Sequence, residues 1–220
     1  LRRNLARQQS RIRLFEVGKV FHLAAEQGAA PMETRRIAGA ICGNANAEQW
    51  AIKNSEADFY DLKADVESLL KLSNSIAEFV PSDSAFLHPG RSANIMLHGN
   101  KIGALGYLHP RLVKTCDIDS EVLVFELDLN AVTYRAVPLA HELSRFPSVR
   151  RDLALVVPEN TPWAALEASL KHALGPLLRE ILLFDRYVGP GLEAGSKSLA
   201  MGLILQDVSR TLTDSESESA

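Results

Sequence analysis

The chain has 220 residues, 46% hydrophobic and 23% charged, a balance expected of a globular protein with one large or two ordinary cores. A net charge of -3 excludes a globally basic nucleic-acid binder, so any such contact has to come from a local patch. No run approaches the roughly 20 apolar residues that span a bilayer, and Leu1-Arg2-Arg3-Asn4 is not followed by the apolar core of a signal peptide.

Two cysteines, Cys42 and Cys116, lie far apart and read as reduced thiols of a cytoplasmic protein; a bridge between them would be unneeded. The chain opens without an initiator Met and reads as part of something longer.

Residues 1–10 are polar, with a weak helical pattern. From Arg11 to Leu23 the β-branched and aromatic residues predict a strand, with a bulge or close backbone approach at Gly18. Glu26 to Thr34 reads as a loop, and Arg36 to Gly43 as a second strand, antiparallel to the first. Phe59, Leu62, Val66, Leu69 and Leu70 recur at intervals of three and four, predicting an amphipathic helix over Asp58–Lys71 with Ser55 or Asp58 as its cap. Strands follow over Ser92–His98, Lys101–Tyr107 and Glu121–Leu129, the first two joined by a tight turn at Gly99-Asn100. This half predicts a mainly antiparallel sheet with at least one covering helix.

Residues 134–143 carry Pro138 and no period, and read as a linker. Leu153, Leu155 and Val157 then alternate, predicting a strand from Arg151 to Val157. A helix follows, with Asn160 or Thr161 as cap, Pro162 at the first helical position, and Trp163, Leu166, Leu170, Ala173 and Leu174 on its apolar face. Gly175-Pro176 stops it. A strand over Arg179–Val188, a turn at Gly189–Gly191 and a strand over Ser196–Gln206 complete three quarters of a split βαβ, ferredoxin-like unit. Thr211-Leu-Thr-Asp looks like the cap of a second helix that the polar ending does not supply. The fold class is α+β: an antiparallel sheet with helices, then an incomplete ferredoxin-like domain.

Chemistry-bearing motifs are sparse. His22, His88, His98, His109, His141 and His172 show no metal-ligand spacing with one another or with the cysteines. Nucleophile, Walker and dinucleotide motifs are absent, so neither a catalytic nor a metal residue is nominated. His88, Arg91 and Asn94 cluster beside Pro89-Gly90, either as a small anion or subunit-contact site or as a structural turn entering a strand. Arg145, Arg150 and Arg151 stand beside Phe146 at the mouth of the Arg151–Val157 strand. Cations next to an aromatic suit a phosphate-and-base ligand, and a solvated strand end is the competing reading.

Several segments in order resemble the bacterial phenylalanyl-tRNA synthetase β-subunit family. They are Arg11-Ile-Arg-Leu-Phe-Glu-Val-Gly-Lys-Val-Phe, Phe59-Tyr-Asp-Leu-Lys-Ala-Asp-Val-Glu, His88-Pro-Gly-Arg-Ser-Ala, Gly103-Ala-Leu-Gly-Tyr-Leu-His-Pro and Arg145-Phe-Pro-Ser-Val-Arg-Arg-Asp-Leu-Ala-Leu-Val-Val. The resemblance implies that residues 1–133 form part of a non-catalytic class II synthetase-like module, and that residues 144–220 form a ferredoxin-fold anticodon-binding domain. It implies an α subunit partner in an α2β2 assembly, tRNA-Phe as ligand, no membrane, a cytoplasmic setting, and ATP and magnesium for the assembled enzyme, with no cofactor in this piece. A catalytic class II core ends in a glycine-rich strand and an arginine for the ATP phosphates. Here Glu126 and Asp128 replace the glycines and Ala131 stands in the arginine's place, which removes phosphate affinity. The anticodon-region contact then falls to Arg145, Phe146, Arg150, Arg151, Lys197 and Arg210. Because adjacent strand residues alternate faces, at most one of Arg150 and Arg151 points to RNA; the other pairs with Asp152 or Glu180. The alternative is a subunit-interaction module that touches no RNA.

Overall fold

The computed structural model describes residues 1–23, 30–134 and 144–213. It divides into two compact units, Leu1–Pro138 and Leu139–Ala220. The architecture is α+β, built on antiparallel sheets.

The first unit begins with a short helix, α1 (Arg2–Leu5), then β1 (Arg11–His22) and β2 (Met32–Gly43). These two strands pair antiparallel without a break from Arg11↔Gly43 to His22↔Met32. The bulge expected at Gly18 is absent: Gly18 pairs with Arg36, and a Cβ there would meet nothing within 4 Å. Helix α2 (Phe59–Lys71) starts at Asp58, not at Ser55. The Asp58 carboxylate accepts from the Tyr60 and Asp61 N–H groups, while Asp61 accepts in return from the Asp58 N–H, a reciprocal capping box.

The sheet continues with β3 (Glu78–Pro81), β4 (Leu87–Leu97), β5 (Asn100–Leu108), α3 (Pro110–Thr115), β6 (Val122–Asp128) and α4 (Leu129–Thr133). Its six strands run in the order β1-β2-β6-β5-β4-β3. The β4–β5 turn is shifted one residue from the expected Gly99-Asn100. Leu97 pairs with Asn100, and the two loop residues are His98 (φ 50°) and Gly99 (φ 76°), the positive-φ pair that a twisted hairpin requires.

One face of this sheet is sealed by α2, whose Leu62, Val66 and Leu70 pack on Ile37, Ile41, Leu105 and Leu127. Burying each such side chain contributes about 1.5–3 kcal/mol, so the three-four spacing in the sequence is what seats the helix. The opposite face is covered at one end by α1 and α3, which close over Ile12, Cys42 and Val122. Cys42 is buried, Cys116 is exposed, and both thiols are free. Desolvation pushes the Cys42 thiol pKa up.

The second unit comprises β7 (Val149–Pro158), α5 (Trp163–Leu174), β8 (Leu178–Tyr187) and β9 (Ser196–Leu205), with strand order β7-β9-β8. This order is that of strands one, three and two of a split βαβ unit. Pro162 is the N-cap of α5 with extended ψ of 142° rather than its first helical residue, and neither Asn160 nor Thr161 caps by a side chain. Leu153, Leu155 and Val157 meet Trp163, Leu166 and Leu170 of α5 over a core of Leu199, Met201, Leu203 and Leu205. Leu212 is buried in the same core without a second helix forming among the described residues; Asp214 onward, and most of the expected linker, lie outside them.

Candidate nucleic-acid interface

The antiparallel register of the second unit decides which cations share a place. Val149 pairs with Leu205 and Leu178 also pairs with Leu205, so the start of β7, the start of β8 and the end of β9 form one end of the sheet. Two connections stitch the approach segment to the exit segment there. The Ser144 hydroxyl donates to the Asp207 main-chain oxygen at 2.9 Å and accepts from the Phe146 N–H at 3.2 Å. Gln206 Nε2 donates to the Phe146 main-chain oxygen at 2.7 Å, while its Oε1 accepts from Arg179 Nε at 3.0 Å.

Arg145, Phe146, Arg150, Arg179 and Arg210 therefore gather at this end. Arg145, Arg150 and Arg179 are exposed, Phe146 half-buried. Arg210 Nε lies 3.9 Å from Asp207. The Asp207 carboxyl accepts from the Ser209 N–H and hydroxyl, each at 2.7 Å, and those bonds, with Arg210 nearby, hold its pKa below the usual carboxylate range.

Burial along β7 alternates strictly, placing Arg150, Asp152, Ala154 and Val156 on the open face and Arg151 on the α5 side with Leu153. Of the expected partners, Arg150 takes Asp152, its Nε donating to Oδ1 at 2.8 Å. Arg150 also lies over the Phe184 ring, 5.5 Å from the centroid.

Lys197 is not brought to this group. It pairs with Val157, seven residues along β9 from the Arg150–Ile204 pair, which is roughly 23 Å at the rise of a strand. Its Nζ donates to the Thr161 main-chain oxygen at 2.6 Å, tying the loop before α5 to the sheet. Arg179, Gln206 and Phe184 were not expected from the sequence; only the strand register places them beside the others.

His88, Arg91 and Asn94 do not form one anion site. They lie at a register break of β4 between Leu87 and Ser92 or just beyond it. His88 Nδ1 meets the Pro89 carbonyl at 2.6 Å, and Asn94 Oδ1 accepts from the Ser82 hydroxyl at 2.9 Å. Arg91 stacks 3.4 Å above the Tyr107 centroid and makes a two-pronged ion pair with Glu121 at 2.5 and 3.1 Å. The guanidinium fork is already filled. The same contacts raise the Arg91 pKa and hold the Glu121 carboxyl below its usual range.

On the sheet face opposite α2, a groove of about 520 Å³ has an apolar floor of Leu14, Ala38, Ala40, Ala104 and Val124, with Glu16 and Glu126 on its lining. Arg36 Nε lies 3.9 Å from the Glu126 carboxylate. Asp128 does not face a ligand: its Oδ1 accepts from the Asn130 N–H at 2.9 Å and caps α4, which contains Ala131. The groove lining carries two carboxylates and no cation, and the nearby Arg36 guanidinium faces Glu126, so these residues do not fit a triphosphate.

Residues 1–129 match the family model described as the phenylalanyl tRNA synthetase beta chain CLM domain, and residues 144–220 match that of the ferredoxin-fold anticodon binding domain. The chain is 58% identical over 214 residues to the phenylalanine–tRNA ligase beta subunit of Xanthomonas euvesicatoria pv. vesicatoria (strain 85-10), covering 97% of this chain and 27% of that protein. It is 53% identical, over the same shares of both chains, to the subunit of the same name from Xylella fastidiosa (strain Temecula1 / ATCC 700964). It thus spans about a quarter of the length of these relatives. Its matched residues run in one sequence through both units, and the chain belongs to the phenylalanyl-tRNA synthetase β-chain family.

Proposed function

We propose that this chain is the tRNA-docking and assembly portion of a phenylalanine–tRNA ligase β subunit, holding the anticodon region of tRNA-Phe while a partner α subunit carries out catalysis. The whole assembly, an α2β2 tetramer in the cytoplasm, would join phenylalanine to tRNA-Phe with ATP and magnesium. Residues 1–133 act as a non-catalytic class II-like core, and residues 144–220 as the anticodon-binding domain. The observation that carries this reading is the gathering of Arg145, Arg150, Arg179 and Arg210 around Phe146 at one sheet end, fixed by Gln206 and Ser144. Single-stranded loops are read by stacking and edge hydrogen bonds while cations hold the phosphates, and this end offers both.

Adenylate chemistry belongs to the partner, because the groove beside Glu126 has nothing to grip a triphosphate. Two measurements test the proposal. Titration of the chain with tRNA-Phe at two salt concentrations should show binding that weakens as salt rises. Phenylalanyl-adenylate formed by the chain without an α subunit would sink the non-catalytic assignment.

A pure assembly module is the second reading, favoured by β1. It is an edge strand whose Phe15, Val17 and Phe21 are 78%, 48% and 63% exposed, a row suited to a protein partner. Absence of any tRNA binding in that titration would select it.

A further inference from the structure

We propose that the groove on the first unit's sheet, on the face opposite α2, binds a small linear aliphatic diamine held at its two ends by Glu16 and Glu126. Occupancy of this site does not depend on RNA.

Strand register builds the clamp. Glu16 of β1 pairs with Ala38 of β2, Ala38 with Glu126 of β6, and Glu126 with Ala104 of β5. Residues paired in this way share a face, so the four form one row across the sheet. Glu16 and Glu126 stand two strand spacings apart in that row, about 9.6 Å between Cα atoms. Between them lies the small side chain of Ala38. The next row, Leu14, Ala40 and Val124, is wholly apolar. Phe86, 55% exposed, lines the same groove.

Both carboxylates remain available to a ligand. Glu16 is exposed and takes part in no ion pair among the described residues. The Glu126 side chain is 53% exposed. Arg36 leans towards it from the neighbouring row, but its Nε stops 3.9 Å from the carboxylate, beyond hydrogen-bond reach, and is buried without a hydrogen-bond partner.

Charge and shape together choose the occupant. Two carboxylates and no lining cation reject anions, and also zwitterions such as free amino acids, whose own carboxylate would be repelled. Carboxylates set this far apart over an apolar floor do not close round a metal ion, which takes roughly six oxygen ligands. What fits is a cation at each end joined by methylenes. At about 520 Å³ the groove is of small-molecule size. A methylene chain laid over Ala38 buries apolar surface while each ammonium meets one carboxylate.

The test follows the backbone amide NMR shifts of the full chain during titration with cadaverine, a linear diamine, and with pentylamine, the monoamine of the same length. Cadaverine should shift the amides of Ala38, Ala40 and Ala104 saturably. Pentylamine should bind about 2- to 5-fold more weakly, the equivalent of one exposed ion pair. In Glu16→Gln or Glu126→Gln the diamine should lose its advantage over the monoamine. Ala38→Leu fills the gap between the carboxylates at unchanged net charge and should abolish binding of both amines. Thermal melts check the folding of each variant; should Ala38→Leu fail to fold, the two glutamate variants, altered on the open face, decide the matter.

Cadaverine shifts centred away from the groove, or a diamine advantage that survives both glutamate substitutions, overturn the proposal. Parent-like binding by a folded Ala38→Leu variant does so too, because charge alone would then account for it. Saturable binding of a capped dilysine peptide without binding of cadaverine would assign the groove to a protein segment and likewise overturn the diamine site.

Discussion

Gln206 reaches from the end of β9 to the main-chain oxygen of Phe146, 2.7 Å away, and in doing so ties the exit of the sheet to its entrance. Its other amide atom accepts from Arg179 at 3.0 Å, so one side chain aligns two of the segments that carry cations. Gln206→Leu removes both bonds. A fall of about 1–3 kcal/mol in unfolding free energy is expected, since each of the two net hydrogen bonds contributes about 0.5–1.5 kcal/mol. Loss of affinity for tRNA-Phe should accompany it. Urea denaturation and a tRNA titration on the same variant check both, and unchanged binding would remove Gln206 from any role in aligning the patch.

Charge reversal should separate cations that bind from cations that build. Arg145→Glu and Arg210→Glu are expected to weaken tRNA-Phe binding, and each lost phosphate contact should reduce the salt slope by about one. Lys197→Glu should leave that slope alone and lower thermal stability, because Lys197 Nζ is engaged by the Thr161 carbonyl at the other end of the sheet. A Lys197 variant with a flattened salt slope would return it to the binding patch.

The capping box at α2 makes a local stability prediction. Asp58→Ala should cost about 1 kcal/mol, within the usual range for a lost N-cap, and Ser55→Ala close to nothing. Both can be read from chemical denaturation followed by circular dichroism. Equal effects at the two positions would contradict the geometry in which Asp58 alone meets the Tyr60 and Asp61 N–H groups.

The Arg91–Glu121 pair has a pH signature whose direction follows from its geometry. The Glu121 carboxyl is held below the ordinary glutamate range by the Arg91 fork. A depressed folded-state pKa means that the pair stabilises fully above the unfolded glutamate range and loses that contribution as pH falls through the lower, folded value. The side chains are 40% and 60% exposed, so solvent screening limits the coupling to about 0.5–1 kcal/mol at neutral pH. A double-mutant cycle with Arg91→Met and Glu121→Gln should show that coupling at pH 7 and its disappearance in strong acid. Coupling that grew on acidification would be the wrong sign.

Periodicity carried much of this fold in plain view. The three-four spacing from Phe59 to Leu70 marked α2 to within a residue, and the alternation at Leu153, Leu155 and Val157 marked the face of β7 that meets α5. Short elements were silent. Strand β3 has four residues with one half-buried, too few for a period, and α3 and α4, with six and five residues, are shorter than two turns and too short to stand alone. Gly18 looked like a bulge because glycine is rare inside strands, yet nothing in its own residue type tells whether the ladder breaks there. The arginine patch was half legible. Arg145, Phe146 and Arg150 are neighbours in sequence, whereas Arg179 joins them through the pairing of Leu178 with Leu205, a relation that local pattern does not contain. Lys197 is separated from them by the same kind of relation, since its pairing with Val157 sets it at the opposite end of the sheet from Arg150.

The contrast between the two thiols has a practical consequence. Cys42 is sealed under α1 and α3, with its thiolate further disfavoured by desolvation, while Cys116 lies open at the end of α3. Brief treatment with a maleimide dye near neutral pH should label one position in the native chain and two after unfolding, as counted by mass spectrometry. The protein thus carries a built-in attachment point on its first unit, far in sequence from the arginines proposed to meet RNA, through which binding can be watched without introducing a new cysteine.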